Sequence, residues 1–204
     1  MQPFRRLDDA VACPLPLANV DTDQLIPARF MKQPRAAGYG GFLLHDLRFE
    51  VDGSSRGLSL DDPAFAGAGV LVARRNFGSG SSREAAVYAL VDFGFRCVIA
   101  PSFGDIFASN AVNNGLLPAR VDAAAAERLL DHATAGRRVA VDLETRTIRV
   151  DGETMPFAID EVWRTKLLNG WDDIDLTLSH TAAIRAFSAE RAVLFPWSLP
   201  RRQG

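Results

Sequence analysis

The stretch VLVARRNFGSGSSRE, from Val70 to Glu84, decides the fold that this sequence predicts. Its first four residues form an apolar run typical of a buried strand, its middle is a glycine and serine loop, and a helical pattern follows from Arg83 to Asp92. A second apolar run extends from Phe95 to Ala100 and ends at a proline. A strand, a helix and a second strand in this order predict a crossover between two parallel strands.

The same alternation continues towards the C-terminus. Residues 105–113 have a helical pattern, residues 116–121 form a third strand, and residues 123–134 form an alanine-rich helix that Asp122 is placed to cap. Polar and apolar residues then alternate at 138–143, 147–150 and 153–157, which indicates antiparallel hairpin strands. The sequence therefore predicts an α/β fold in which a mixed sheet contains a parallel β-α-β core.

The two ends of the chain are less regular. The N-terminal third contains a short strand from Ala10 to Cys13 and then a loop rich in proline and aspartate from Leu15 to Gly41. Two further helices are predicted at residues 160–169 and 181–189. No internal repeat or low-complexity linker marks a boundary. We therefore predict one domain spanning residues 1–204, with residues 190–204 as a C-terminal extension.

Composition narrows the class of protein. The 204 residues carry a formal net charge of −2, and the basic residues are scattered, so no positive field indicates a nucleic-acid partner. No apolar run approaches the ~20 residues that a membrane helix needs. The N-terminus lacks the apolar stretch of a signal peptide. We expect a cytoplasmic protein that binds neither nucleic acid nor membrane.

Cysteine and histidine are sparse. Cys13 and Cys97 are the only two cysteines, and His45, His132 and His180 are equally dispersed. This spacing supports neither a disulfide framework nor a zinc or iron–sulfur site held by this chain alone. We expect any metal to be bound by a partner.

Three familiar interpretations of the loop from Gly78 to Arg83 fit poorly, namely a linker, a nucleotide-binding loop and a hydrolase elbow. A flexible linker is disfavoured because the loop joins a buried strand to a helix that must pack on the sheet. A dinucleotide fingerprint would need a third glycine where Arg83 stands, and a phosphate-binding Walker loop would need a lysine. A hydrolase elbow, Gly-x-Ser-x-Gly, occurs around neither Ser79 nor Ser81.

An anion site is the fourth interpretation, and the residue types suit it. Glycines let the backbone approach a ligand, and the free N–H groups at a helix start attract negative charge. Ser81 and Ser82 add hydroxyl donors, and Arg83 adds a planar fork suited to a carboxylate. A cation in the first helical turn is electrostatically unfavourable unless an anion compensates it. The residues alone favour a carboxylate or phosphate site, with a purely structural turn as the alternative.

The residues from Asn76 to Glu84 resemble the Gly-x-Gly-Ser-Ser-Arg-Glu signature of the aconitase superfamily, in its mobile swivel domain. Three further stretches are similar to small subunits of isopropylmalate isomerase, or 3-isopropylmalate dehydratase. They are NVDTDQLIPARF from Asn19 to Phe30, APSFGDIF from Ala100 to Phe107 with NNGLLP from Asn113 to Pro118, and LNGWDDIDLTL from Leu168 to Leu178. Their order along the chain is that of the family.

The resemblance implies a swivelling β/β/α three-layer domain of the aconitase C-terminal type. It implies a lyase, active only with a large subunit, that isomerises 2-isopropylmalate to 3-isopropylmalate by dehydration and rehydration in leucine biosynthesis. The large subunit would hold a [4Fe–4S] cluster, one iron of which binds the substrate hydroxyl and carboxylate as a Lewis acid. This chain would bind no cofactor and would contribute half of a dicarboxylate site.

The family motif also implies residue roles. Ser81 would be the general base, Ser82 a supporting hydrogen-bond donor and Arg83 the carboxylate clamp. Thr22, Asp23 and Gly80 would support them, although a turn-capping role for Asp23 is an equal alternative. Arg35 would bind a distal carboxylate.

Substrate choice is the open part of the resemblance. Arg35 is followed by Ala36-Ala37-Gly38 where the family commonly reads Arg-Thr-Gly, and Ser79 and Ala85 replace a common cysteine and histidine. The small subunit of a homoaconitase or of a methylmaleate or dimethylmaleate hydratase is therefore an alternative. A non-enzymatic anion-binding module is a third possibility.

Overall fold

The computed structural model describes residues 1–198, and a mixed sheet forms its centre. The strands are β1 (Arg6–Leu15), β2 (Val70–Ala73), β3 (Cys97–Ala100), β4 (Leu117–Arg120), β5 (Arg138–Asp142), β6 (Thr147–Val150) and β7 (Glu153–Pro156). Their order across the sheet is β4-β3-β2-β1-β5-β6-β7. The strand that comes first in the chain therefore lies in the middle of the sheet.

Helices and short 3₁₀ turns connect these strands. The α-helices are α1 (Thr22–Leu25), α2 (His45–Arg48), α3 (Glu84–Phe93), α4 (Asp105–Asn113), α5 (Ala123–Thr134), α6 (Glu161–Asn169), α7 (Asp173–Ser179) and α8 (Thr181–Leu194). The 3₁₀ turns are Ala28–Lys32, Arg35–Ala37, Gly40–Phe42, Ser59–Asp61, Pro63–Phe65 and Pro196–Ser198.

The parallel half of the sheet confirms the predicted β-α-β core. β1, β2, β3 and β4 pair in parallel, and every residue of β2 and β3 is buried. Helices cover both faces of such a sheet, which is why its strands are apolar without alternation. The bounds of α4 and α5 are those that the sequence predicts, and the Asp122 carboxylate accepts from the Ala125 N–H as the expected cap.

Two hydrophobic cores lie on opposite faces of this half. Val70 and Val72 point to one face, where they meet α5 and the antiparallel strands, whereas Leu71 and Ala73 point to the other, where they meet α3 and α4. The alternation follows from the two-residue period of a strand. The result is one mixed sheet with parallel strands and covering helices, which confirms the predicted α/β class of the aconitase C-terminal type.

The antiparallel half consists of the predicted hairpins. β5 pairs with β1, β6 with β5, and β7 with β6. The pairing of β1 with β5 shifts register between Leu7 and Ala10, where Asp9 has a φ of 52°. An extra residue in one strand produces this kind of irregularity and bends the strand.

Several elements differ from the predicted secondary structure. β1 extends well beyond Ala10–Cys13, because pairing with β5 supports its polar first half. The loop from Leu15 to Gly41 contains α1, which Asp21 and Gln24 close with a capping box. Helix α3 begins one residue later than predicted, with Arg83 as an extended N-cap residue. Helix α7 was not predicted as a helix at all, because none of its side chains is buried.

The C-terminal part is helical through Leu194. The predicted extension at 190–204 thus begins inside α8, and its residues 199–204 lie outside the described part of the chain. None of the helices within residues 1–198 is both long enough and apolar enough to cross a membrane.

Candidate functional site

The loop from Gly78 to Arg83 lies beyond the carboxyl end of β2, beside the segment that contains α1. The Gly78 N–H donates to the Val20 carbonyl oxygen over 2.7 Å, and the Thr22 N–H donates to the Ser79 carbonyl oxygen over 2.8 Å. Ligands of open parallel sheets bind outside the carboxyl ends of the strands. The structure therefore brings two of the family-like motifs together at the expected edge of the sheet.

The segment after β3 supports the same loop from another side. The Phe77 N–H donates to the Ser102 carbonyl oxygen over 3.0 Å, and the Gly104 N–H donates to the Phe77 carbonyl oxygen over 2.9 Å. Gly78 has a φ of 71°, and a methyl group on its Cα would lie 2.2 Å from the Phe107 ring. A glycine is required here both by the backbone conformation and by the close packing.

Ser81 combines a fixed backbone with a free side chain. Its carbonyl oxygen accepts from the Thr22 hydroxyl over 2.9 Å and from the Arg83 N–H over 2.8 Å. Ser81 and Ser82 are exposed, and no described residue forms a hydrogen bond with either hydroxyl. Both hydroxyls are therefore available to a ligand, while buried Thr22 fixes the backbone that carries them.

Arg83 and Asp23 form an ion pair across this loop. The Arg83 side chain is 19% exposed, and its Nη1 nitrogen lies against the Asp23 carboxylate. That nitrogen is buried, and within residues 1–198 no acceptor meets it with hydrogen-bond geometry. The contact is thus a charge pair without a directed hydrogen bond, and a carboxylate aligned for two parallel N–H···O bonds would satisfy the guanidinium better.

Gly80 lies between these groups. Its φ is 97°, a conformation that other residues rarely adopt, and a Cβ at this position would lie 3.4 Å from the Thr22 hydroxyl. Thr22, Asp23, Gly80, Ser81 and Arg83 are therefore neighbours in space.

Arg35 makes its contacts elsewhere. Its guanidinium carbon lies 3.6 Å from the centroid of the Tyr88 ring, and a guanidinium nitrogen lies 3.6 Å from the Asp92 carboxylate. Both partners belong to the flank of α3 rather than to the loop that precedes it. The Arg35 guanidinium is thus already stacked and paired by α3, and its role in binding a distal carboxylate stays a prediction.

The flank of α3 contains functional candidates that the sequence did not single out. Glu84, Tyr88 and Asp92 are spaced four residues apart, so they share one face of the helix. Partial burial is the main cause that raises the pKa of the Tyr88 phenol, and the Glu84 carboxylate is the second. The i, i+4 spacing of these three residues is visible in the sequence and could have indicated a shared helix face. The contact of Arg35 with that face could not be predicted, because Arg35 lies in a distant segment of the chain.

A cavity of about 680 Å³ opens beside the loop, at the ends of β3 and β4. Ser102, Asp105, Arg120 and Trp163 are among the residues that line it. The Ser102 hydroxyl also accepts from the Asn76 N–H over 2.8 Å, which links the cavity wall to the loop. Neither the serines nor the arginine of the loop from Gly78 to Arg83 lines this cavity. The candidate catalytic residues are therefore identified by the loop and not by the cavity.

The two cysteines do not fit a cluster site. Cys13 and Cys97 are buried, and burial raises the pKa of both thiols, that of Cys13 to about 12. Thiolates are the ligands of iron–sulfur clusters, so these environments oppose ligation. Within residues 1–198 no three His, Cys, Asp or Glu side chains are grouped to hold a metal ion.

Comparisons with known proteins point in one direction. The family model for the aconitase C-terminal domain matches residues 2–124, the one described as LeuD_N matches 127–161, and the one for the C-terminal domain of the 3-isopropylmalate dehydratase small subunit matches 173–201. A 3-isopropylmalate dehydratase small subunit of Cereibacter sphaeroides is 45% identical over 97% of this chain and 100% of its own length. One of Phenylobacterium zucineum is 47% identical over 97% and 98%.

A solved structure agrees with the sequence relatives. The crystal structure of a 3-isopropylmalate dehydratase from Methanocaldococcus jannaschii superposes with a TM-score of 0.61 and is 26% identical. The match covers 88% of this chain and 97% of that one. With motifs, fold and full-length relatives in agreement, this chain belongs to the 3-isopropylmalate dehydratase small-subunit family of the aconitase superfamily.

Proposed function

We propose that this chain is the small subunit of a hydro-lyase that interconverts 2-isopropylmalate and 3-isopropylmalate in leucine biosynthesis, in the cytoplasm. The observation that carries the proposal is the exposed Ser81 hydroxyl, which is held on a fixed backbone two residues before Arg83, whose guanidinium pairs with Asp23. The named activity of the relatives, at 45% and 47% identity over nearly the whole chain, supports the substrate class.

Ser81 is the proposed general base. Its oxygen takes the proton from the substrate carbon next to a carboxylate during dehydration and returns a proton during rehydration. A serine is a weak base unless its oxyanion is stabilised, and the start of α3 and the Arg83 cation supply positive potential there. Thr22 positions Ser81 through the hydrogen bond that its buried hydroxyl donates to the Ser81 carbonyl oxygen.

Arg83 and Ser82 are the proposed carboxylate ligands. The Nη1 nitrogen of Arg83 lacks an acceptor with good geometry among the described residues, so a substrate carboxylate supplies what the pair with Asp23 leaves unmet. Asp23 keeps the guanidinium oriented before the substrate arrives. The exposed Ser82 hydroxyl adds one donor.

Arg35 is proposed to bind the distal end of the substrate. The contacts with Tyr88 and Asp92 hold its guanidinium on the flank of α3, and a substrate would have to compete with Asp92 for it. A partly neutralised cation favours a substrate with an apolar side group over one with a third carboxylate. This argues for isopropylmalate over the homoaconitase alternative.

The iron–sulfur cluster is proposed to belong to the large subunit. The buried thiols of this chain leave no ligand set for it, so this chain is inactive until the two subunits meet. The partner then supplies the cluster and closes the site over the substrate.

The test is anaerobic co-expression with a cluster-bearing large subunit, followed by the absorbance of the unsaturated intermediate. We expect turnover of 2-isopropylmalate, and Ser81→Ala should lower kcat by ~10²-fold or more. Ser82→Ala is the matched control beside it and should lower kcat less than Ser81→Ala does. Full activity of Ser81→Ala would exclude the base assignment, and faster turnover of a tricarboxylate or a methylated diacid would exclude the substrate.

A further inference from the structure

The segment of residues 33–40 lies against α3, and Asp92 is the residue of the helix that meets it most often. One oxygen of the Asp92 carboxylate accepts from the Tyr39 N–H over 3.0 Å, and the other lies 3.6 Å from a nitrogen of the Arg35 guanidinium. A Cβ on Gly40 would lie 2.7 Å from the Asp92 carbonyl oxygen, so the segment packs directly on the helix backbone. Asp92 therefore contacts this segment with both its side chain and its backbone.

The contact with Tyr39 fixes the direction of the Asp92 carboxylate. Tyr39 is buried, and its hydroxyl donates over 2.7 Å to the Gln33 carbonyl oxygen at the start of the same segment. The Asp92 side chain is 22% exposed, and its bond to the Tyr39 N–H restrains its rotation. The second oxygen of Asp92 is therefore held beside Arg35.

Two side chains of α3 thus act on the Arg35 guanidinium. The Tyr88 ring covers one face of this planar group, with 3.6 Å between the guanidinium carbon and the ring centroid, and Asp92 supplies the negative charge. Among residues 1–198 no other carboxylate forms an ion pair with Arg35. The Arg35 side chain remains 46% exposed. A stacked cation beside one fixed carboxylate presents a flat surface of low net charge, which attracts an additional carboxylate only weakly.

We infer that Asp92 determines substrate specificity by neutralising Arg35, so that the site prefers a diacid with an apolar side group to a substrate with a third carboxylate. This inference rests on the proposed function, in which Arg35 meets the distal end of the substrate. The effect of Asp92 passes through Arg35, so in this role Asp92 is a positioning residue.

Asp92→Asn separates the charge of this residue from its anchoring hydrogen bond. The asparagine oxygen can still accept from the Tyr39 N–H, whereas the negative charge beside Arg35 is lost. Trypsin reports whether the segment stays in place, because it cleaves the bond between Arg35 and Ala36. The cleavage rate in the full chain should stay within ~2-fold of the wild type in Asp92→Asn. It should rise by ~5-fold or more in Asp92→Ala, which loses the accepting oxygen as well.

The decisive measurement is the ratio of two inhibition constants, determined anaerobically in the complex with a cluster-bearing large subunit. The inhibitors are 2-isopropylsuccinate and ethane-1,1,2-tricarboxylate, which differ only in the replacement of the isopropyl group by a carboxylate. We expect Asp92→Asn to shift the ratio by ~5-fold or more in favour of the tricarboxylate. Arg35→Gln leaves the Asp92 charge unbalanced and should shift the ratio by ~3-fold or more in the opposite direction.

The double variant and a remote variant are the controls. Arg35→Gln/Asp92→Asn removes both charges, so its ratio should return to within ~2-fold of the wild type. Glu153→Gln changes the net charge of the chain as Asp92→Asn does. It breaks an ion pair with Arg128, over 3.0 Å, on β7, and should leave the ratio within ~2-fold of the wild type.

Three outcomes would overturn the inference. They are an unchanged ratio in Arg35→Gln, an unchanged ratio in an Asp92→Asn chain that trypsin cleaves at the wild-type rate, and a double variant that keeps the ratio of Asp92→Asn. In the last case the attracting cation would not be Arg35. Failure of the proposed function is a separate result, because a wild-type complex that does not convert 2-isopropylmalate refutes that function whatever the ratio. The inhibition constants are then measured against the diacid that the complex does convert.

Discussion

At Ser81 the neighbouring donors bind the backbone and leave the side chain free. The Thr22 hydroxyl and the Arg83 N–H both donate to the Ser81 carbonyl oxygen, at 2.9 Å and 2.8 Å. A base that must approach a carbon atom gains from a fixed Cα and a hydroxyl without competing partners. Thr22 is thus a positioning residue, because it acts only through Ser81.

Thr22→Val tests this positioning role. The variant removes one of two donors to a partly buried carbonyl, so we expect the free energy of unfolding to fall by about 1 kcal/mol. The kcat should fall by ~10-fold or more, because small displacements of a reacting group are costly. The control is Thr165→Val, whose hydroxyl donates over 2.9 Å to the Glu161 carbonyl oxygen within α6. It should leave kcat unchanged, and an unaltered kcat in Thr22→Val would contradict the role.

Cys13 and Cys97 should be unreactive in the native chain. The pKa of Cys13 is raised to about 12, mainly by burial and to a smaller extent by the carboxylates of Asp61 and Asp62. Burial also raises the pKa of Cys97. At pH 8 a thiol with a pKa of ~8.5 is about one quarter thiolate, whereas a pKa near 12 leaves ~10⁻⁴. We expect no alkylation by iodoacetamide at pH 8 in the native protein and two modified thiols per chain in concentrated guanidinium. Rapid native labelling of either cysteine would refute the buried assignment.

At the scale of elements, the loop from Gly78 to Arg83 packs so closely against α4 that Gly78 leaves no room for a side chain. A Cβ at Gly78 would lie 2.2 Å from the Phe107 ring, whose face also stacks near Phe103. Gly136, after α5, has nearly the same φ of 70°, but a Cβ there would meet no other part of the described chain within 4 Å. Comparing substitutions at Gly78 and Gly136 therefore separates the cost of a positive φ from the cost of a steric clash with Phe107.

Gly78→Ala should therefore be much more harmful than Gly136→Ala. Both variants force alanine to a positive φ, which costs about 1 kcal/mol. Gly78→Ala adds overpacking of typically ~1–3 kcal/mol against Phe107. Denaturant unfolding should show this difference in the free energy of unfolding. In the double variant Gly78→Ala/Phe107→Ala the clashing ring is removed, so part of the activity lost in Gly78→Ala should return. Equal destabilisation by the two glycine variants would show that the close approach is unimportant.

The elements with strong local signals were predictable, and those that depend on distant partners were not. Asp122 and the alanine pattern define α5 within the sequence itself, and its bounds were correct. The paired carboxylate of Asp23 and the Asp92 contact of Arg35 arise only when separate segments meet, so no local pattern could predict them. Helix α7 had a local signal in the capping box of Asp172 and Asp175, but its exposed face lacked the periodicity that indicates a core helix.

At the scale of the whole molecule, β1 joins the parallel and antiparallel halves. It pairs with β2 on one side and with β5 on the other. One hydrophobic core contains residues from both halves, including Val72 of β2 and Ile148 of β6, together with Leu129 of α5. Because neither half can lose its strands without exposing this core, we expect the two halves to unfold together.

Leu129→Ala tests this coupling. Leu129 is fully buried, so its truncation should lower the free energy of unfolding by ~2–5 kcal/mol. Hydrogen exchange at Ile99 in β3 and Ile148 in β6 should report the same loss, because one cooperative unit shares one global opening. Leu178→Ala is the control on α7, where the leucine is 60% exposed, and it should change stability by less than ~0.5 kcal/mol. Two separated transitions, with the loss confined to one half, would show that the chain contains two folding units and would refute the predicted single domain.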